Sequence, residues 1–236
     1  MSRNCHKAAY HAAYINHLRT SYVYPQDLPG LGIQGGILPE DVEKTLESEP
    51  EIQAVLLVSP TYDGVVSDIE KIAEIVHKRK IPLIVDEAHG AHFPFGKEFP
   101  VSALELGADV VIQSLHKTLP SFTQTAVMHV KGDLAPVAEL ERYLRIFQSS
   151  SPSYLFMAGI ENCIYHMDRE GRTEMGKFYR SLQNLWAELR GMRHLRLLDE
   201  EWVGRFGVYG LDCSKIVVMV DNTGLNGAGL ERILRE

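Results

Sequence analysis

The sequence predicts an α/β fold, a mainly parallel sheet sandwiched by helices with a smaller unit after it. Two observations carry the prediction. The run Ala54–Val58 is continuously apolar, as strands buried on both faces are, and Ile81–Val85 and Ala108–Ile112 are strand-like apolar runs, the last interrupted by Asp109. Between the first two lies a helix-spaced segment, and this β-α-β rhythm belongs to parallel strands joined by crossovers.

Taken in order, Leu28–Gly36 is rich in Gly and Pro and reads as loop. Pro39 opens a helix through Leu46. After the first strand, Ser67 is expected to cap a helix in which Ile69, Ile72, Ala73 and Val76 recur on one face. Acids Asp68 and Glu70 stand at its start, and Lys78, Arg79 and Lys80 at its end. The second strand follows, then a short helix near Val101–Leu106, the third strand, and a further strand over Thr125–Val130. Leu134–Phe147, Ser153–Met167 and Gly171–Leu189 read as three helices, the last long enough to bridge two lobes. Ile216–Val220 reads as strand and Leu225–Leu234 as helix. A boundary near Gly191 divides a large domain, 1–190, from the beginning of a smaller α+β domain, 191–236.

Composition narrows the function. At 45% hydrophobic and 23% charged, the 236 residues have the make-up of an ordinary globular protein. A formal net charge of −7 disfavours broad binding to nucleic acid or anionic membrane. No apolar run approaches a membrane span, and no signal-peptide core is visible. Three dispersed cysteines without a CxxC pair read as free thiols, so a cytoplasmic location is expected.

Two stretches carry chemistry. Asp86 ends the second strand, and Lys117 follows the third in SLHKTLPSFTQTA. Loops after parallel strands share the ligand-binding edge, so Asp86, His89, Ser114, His116 and Lys117 should converge there. An amine and a carboxylate so placed are what pyridoxal 5′-phosphate (PLP) requires: one to attach its aldehyde, the other to keep its pyridine nitrogen protonated. Ser114, Thr118, Ser121 and nearby backbone N–H groups are candidate phosphate donors. Each residue also has a plain reading: a solvated lysine, a structural aspartate at a strand end. Asp86–His89 spells a helicase DEAH box, but no phosphate-binding GxxxxGK[ST] loop precedes it. His89, His92 and His116 with Asp86 do not complete a metal-ligand pattern of known spacing.

These residues resemble the PLP-dependent ornithine/lysine/arginine decarboxylases, whose fold is of the aspartate-aminotransferase type. SLHKTLPSFTQTA matches the lysine-attachment signature, and RNCHK, SPTYDG, DEAHGAHF and SSSPSYLFMAG match further blocks in order. The resemblance implies that Lys117 holds the cofactor covalently and Asp86 pairs with the pyridine nitrogen. It further implies that His6 stacks on one ring face, Ala88 packs on the other, and Ser114 and His116 contact the phosphate. His89 falls near ring and substrate, and Lys117 or His116 returns a proton to the α-carbon. Ser150, within Ser149–Tyr154, falls in the block that reaches a partner subunit's cofactor, so a homodimer or higher homo-oligomer is expected. The implied reaction is decarboxylation of arginine, lysine or ornithine. A non-catalytic fragment and a PLP enzyme of another class, such as an aminotransferase, are the alternatives. The family's Ser/Thr-Gly-rich phosphate loop precedes the RNCHK block, whereas Asn4 lies three residues from Met1. The expectation is therefore an internal piece of a longer enzyme, binding PLP weakly on its own.

Overall fold

The apolar runs become adjacent strands. The computed structural model describes residues 1–221 and 223–236. Its elements begin with α1 (Lys7–Ile15), α2 (Pro39–Ser48), β1 (Val55–Val58), β2 (Val65–Val66), α3 (Ile69–Lys78) and β3 (Leu83–Asp86). Next come β4 (Val110–Gln113), α4 (Leu115–Thr118), β5 (Val127–Val130), α5 (Val137–Phe147) and α6 (Tyr154–Leu189). The chain closes with β6 (Arg196–Leu197), β7 (Gly210–Leu211), β8 (Val218–Met219) and α7 (Gly227–Arg235). The sheet order is β1-β3-β4-β5, with the first three strands parallel and β5 antiparallel to β4. It is thus the mainly parallel, helix-flanked sheet that the apolar runs predict.

Alternation along the strands decides what faces what. Val55, Leu57, Leu83, Val85 and Val111 join Val42 and Leu46 of α2 and Ile69, Ile72 and Val76 of α3 in one buried cluster. Each such aliphatic side chain contributes about 1.5–3 kcal/mol when fully buried. Helix α3 shows the cause plainly: its apolar residues share one face and all five are buried.

Three local expectations are corrected. Asp68, not Ser67, caps α3, its Oδ1 accepting from the Lys71 N–H at 3.0 Å. Ser67 instead accepts from the Ile37 N–H at 2.9 Å and ties down the loop before α2. The segment near Val101–Leu106 is a single turn rather than a helix, with Leu106 N–H on the Ser102 carbonyl at 3.2 Å and Gly107 at φ +101° ending it. The two helices expected over 153–189 are one helix of 36 residues. Gly171 lies inside it at a cost of about 1 kcal/mol relative to Ala. The compensation is close packing: a Cβ there would meet the Phe95 ring at 3.0 Å. Helix α1, an addition to the elements expected, is capped by His6, whose Nδ1 accepts from the Ala8 N–H at 3.2 Å.

After α6 the chain adds two small ribbons, β6–β8 and β7 against β2. A buried contact also spans this region, His92 Nε2 to Asp212 Oδ1 at 3.3 Å. No helix among the described residues is long and apolar enough to cross a membrane.

Candidate active site

Strand register builds the site. Val58, Asp86 and Ile112 lie side by side at the C-terminal ends of β1, β3 and β4. Asp86 points to the face opposite Val85, away from the α2–α3 core. Its Oδ1 accepts from the Ala88 N–H at 3.1 Å, an Asx-type turn that bends the chain out of the strand. Half-buried Ala88 is thereby held beside the carboxylate. Among the described residues no other protein donor reaches Asp86, so most of its accepting capacity is open.

Lys117 and His89 arrive from neighbouring strand ends and meet. Lys117 belongs to the single-turn α4, which starts immediately after β4, and His89 follows β3. The Lys117 Nζ lies 3.2 Å from His89 Nε2. Burial, then the Lys117 ammonium, hold the His89 pKa down to about 4, so the imidazole is neutral at pH 7. With Lys117 donating, Nε2 accepts and Nδ1 carries the proton; that Nδ1 is buried without a partner among the described residues. A buried orphan donor costs about 1–3 kcal/mol, and this Nδ1–H is available to an acceptor. Tyr62, in the loop after β1, meets the His89 ring edge-on at 5.4 Å.

His116 Nδ1 donates to the Thr125 carbonyl at 2.8 Å, which leaves Nε2 free and ties α4 to the loop before β5. Ser114 is the N-cap of α4 yet makes no side-chain cap bond, and the Thr118 hydroxyl is buried and unpaired. Asp86, Ala88, His89, Ser114, His116 and Lys117 thus share one sheet edge. His6 is exposed and makes no hydrogen bond to them, but its neighbour Cys5 lies close to Asp86. Burial pushes the Cys5 thiol pKa up, and the Asp86 charge adds to the rise. Ser150 is not brought to this edge. It lies in the exposed turn between α5 and α6.

Sequence reasoning missed the support behind the edge. Glu87, one residue past Asp86, turns to the opposite face and is buried. It accepts from Ser102 Oγ at 2.8 Å, the Ala103 N–H at 2.7 Å and Gln113 Nε2 at 2.6 Å. Gln113 Oε1 in turn accepts from His129 Nε2 at 3.1 Å. Burial raises the Glu87 pKa and the three donors pull it back. The available signal was the alternation itself: Glu87 is two residues from Val85, and Gln113 two from Val111, so both fall on the core face. His89 turns to Lys117, His92 to Asp212 and His116 to Thr125, and no group of three potential ligands occurs among the described residues.

Comparison with known proteins bears on this arrangement. Residues 1–211 match the family model described as Orn/Lys/Arg decarboxylase, major domain. The arginine decarboxylase of Halalkalibacterium halodurans is 32% identical over 234 residues, 99% of this chain and 48% of that protein. That of Bacillus cereus is 31% identical over 234 residues, 99% of this chain and 51% of that protein. The chain therefore spans about half the length of the curated relatives it matches. Among solved structures, lysine decarboxylase A from Pseudomonas aeruginosa superposes with a TM-score of 0.70 at 20% identity. The match covers 97% of this chain and 37% of that one, and supports the fold.

Proposed function

The chain belongs to the Orn/Lys/Arg decarboxylase major-domain family, and from that premise we propose that it takes part in PLP-dependent decarboxylation of a basic amino acid. Arginine is the favoured substrate within this reading, because four relatives aligned over 99% of the chain are arginine decarboxylases. The observation that carries the proposal is the meeting of Lys117 with a neutral His89 on the same edge as an under-coordinated Asp86.

The residues present fit the cofactor. An open carboxylate, a rim lysine, a buried Nδ1–H without an acceptor and unpaired Ser114 and Thr118 hydroxyls are the groups a phosphorylated pyridine aldehyde requires. Bound there, PLP supplies the sink for the electron pair left when the α-carboxylate departs. Lys117 would hold it, with Ser114 and His116 toward the phosphate and Ala88 and His6 flanking the ring. Asp86 keeps a proton on the pyridine nitrogen by its fixed negative charge. His89, neutral and packed by Tyr62, orients the Lys117 amine without competing for its proton. Lys117 or His116 delivers a proton to the α-carbon after carbon dioxide leaves.

The reading includes a second copy of the chain. Helix α5 buries no residue and, with the start of α6, exposes Ile146, Phe147, Tyr154, Leu155 and Met157 around Ser150. In the proposed homodimer this face carries Ser150 toward the partner's cofactor. The test is addition of PLP to the purified protein, followed by absorbance and by carbon dioxide release from arginine, lysine and ornithine. Cofactor binding with release from one of the three supports the reading; absence of both rejects it.

A further inference from the structure

Beside the Lys117 edge lies a cavity of about 270 Å³ that the catalytic reading leaves without a role. One wall is the C-terminal half of α6; the other is built from the segment after it and from the loop after β1. Its volume suits a small aliphatic ligand, being below the 300–1,000 Å³ typical of drug-sized sites. Its lining is acidic on balance, with Asp63, Asp199, Glu200 and Asp212 against Arg190 and Lys215.

The carboxylates are not equivalent. Asp199 is occupied by the Glu201 N–H at 3.1 Å. Asp212 has a fully buried side chain and is held on one oxygen by His92 and the Ser214 N–H. Its other oxygen, Oδ2, is buried without a partner among the described residues. Asp63 is half-buried, and burial pushes its carboxyl pKa up. Among the described residues, Asp63 and Glu200 have no side-chain ion pair. The partly desolvated Asp63 and the unpaired Asp212 oxygen are costly without a cation, and a cationic ligand removes that cost; Glu200 is exposed and adds charge without that penalty.

The cavity lies near the site, within reach of His89 through its wall residues. Asp63 adjoins Tyr62, whose ring packs on His89, and His89 is 3.2 Å from the Lys117 amine. Lys215 and Asp212, both in the cavity wall, are close enough to His89 to act on its charge.

We propose that this cavity binds the cationic end of an alkyl amine or alkyl guanidine, with Asp63 and Glu200 as the specificity-determining carboxylates. The inference rests on the decarboxylase reading for its substrate: the cation would be the far end of the basic amino acid whose α-carbon is held at Lys117. Asp212 is a positioning residue there, fixed by His92 and adding negative potential.

The test uses calorimetric titration at pH 7 without PLP, which separates the cavity from the chemistry. Agmatine, an aminoalkyl guanidine with no carboxylate and a positive charge at each end at pH 7, is compared with butylurea, which carries neither charge, on the wild type, Asp63→Asn, Glu200→Gln and the remote control Glu74→Gln. Agmatine should bind better than butylurea. Asp63→Asn and Glu200→Gln should each weaken it roughly tenfold, the effect of losing one charge-assisted hydrogen bond, and Glu74→Gln should leave it unchanged. Equal binding of agmatine by wild type and both site variants, no preference over butylurea, or no agmatine binding at all would overturn the proposal. Carbon dioxide release with PLP present is assayed in parallel. Turnover of arginine with variant-insensitive agmatine binding defeats the cavity assignment and leaves the decarboxylase reading intact. Variant-sensitive binding without turnover of any basic amino acid keeps the cation site and defeats that reading.

Discussion

Asp86 and Glu87 are adjacent carboxylates at the end of one strand, and their surroundings are opposite. Glu87 faces the core, is buried, and receives three hydrogen bonds from Ser102, Ala103 and Gln113. Asp86 faces the loop edge, is half-buried, and receives one, from Ala88. The pleat assigns them to different faces, and the faces assign them different work. A carboxylate whose lone pairs are taken by the protein holds the fold; one left open beside a lysine is available to a ligand.

The contrast can be broken most forcefully at Glu87. Glu87→Ala strands the Ser102 hydroxyl, the Ala103 N–H and the Gln113 amide in the interior, and should lower unfolding free energy by about 3 kcal/mol or more. Denaturant melts measure this, and a loss below about 1 kcal/mol would show that the network is not structural. Asp86→Asn should do the reverse. Stability should change little, while turnover with PLP falls roughly 10²-fold or more, equivalent to about 2.7 kcal/mol in the barrier. Wild-type turnover in this variant would remove Asp86 from the chemistry.

Which of these features the sequence reveals follows from their physical origin. Strand identity was legible, because burial on both faces leaves uninterrupted apolar runs such as Val55–Val58. Convergence of Asp86, His89, Ser114 and Lys117 was legible too, because parallel strands end on a common edge. The partners of Glu87 were not, since Ser102 and Gln113 reach it only through tertiary packing. Ser67 and Asp68 are both good caps, and the choice fell to the Ile37 N–H, a contact 30 residues away. Gly171 imitates a helix end until Phe95 is placed against it. The Asp63–Glu200 cavity draws its walls from three distant segments and leaves no local pattern.

His89 sharpens the contrast through pH. Its folded pKa is depressed to about 4 from the ordinary 6.5, so the unfolded chain binds more protons between those values. The stability attached to this group is therefore complete above about pH 6.5 and declines as pH falls toward 4. Melting temperatures across that window should fall less steeply in His89→Asn than in wild type; parallel slopes would contradict the buried, neutral imidazole. The smallest effect on folding is expected at the exposed face. Phe147→Glu should shift unfolding free energy by no more than about 0.5 kcal/mol. It should nonetheless reduce the assembled fraction in light scattering if a second copy covers α5, and an unchanged mass would place the interface elsewhere.

The central claim is that Lys117 is the residue that takes the cofactor. Borohydride reduction of the PLP-treated protein, followed by peptide mapping, tests it without reference to substrate or turnover. The account predicts a single stable pyridoxyl label on the peptide containing Ser114–Thr118, at Lys117, and none in Lys117→Ala. A label at another lysine, or the same labelling in Lys117→Ala, would contradict it.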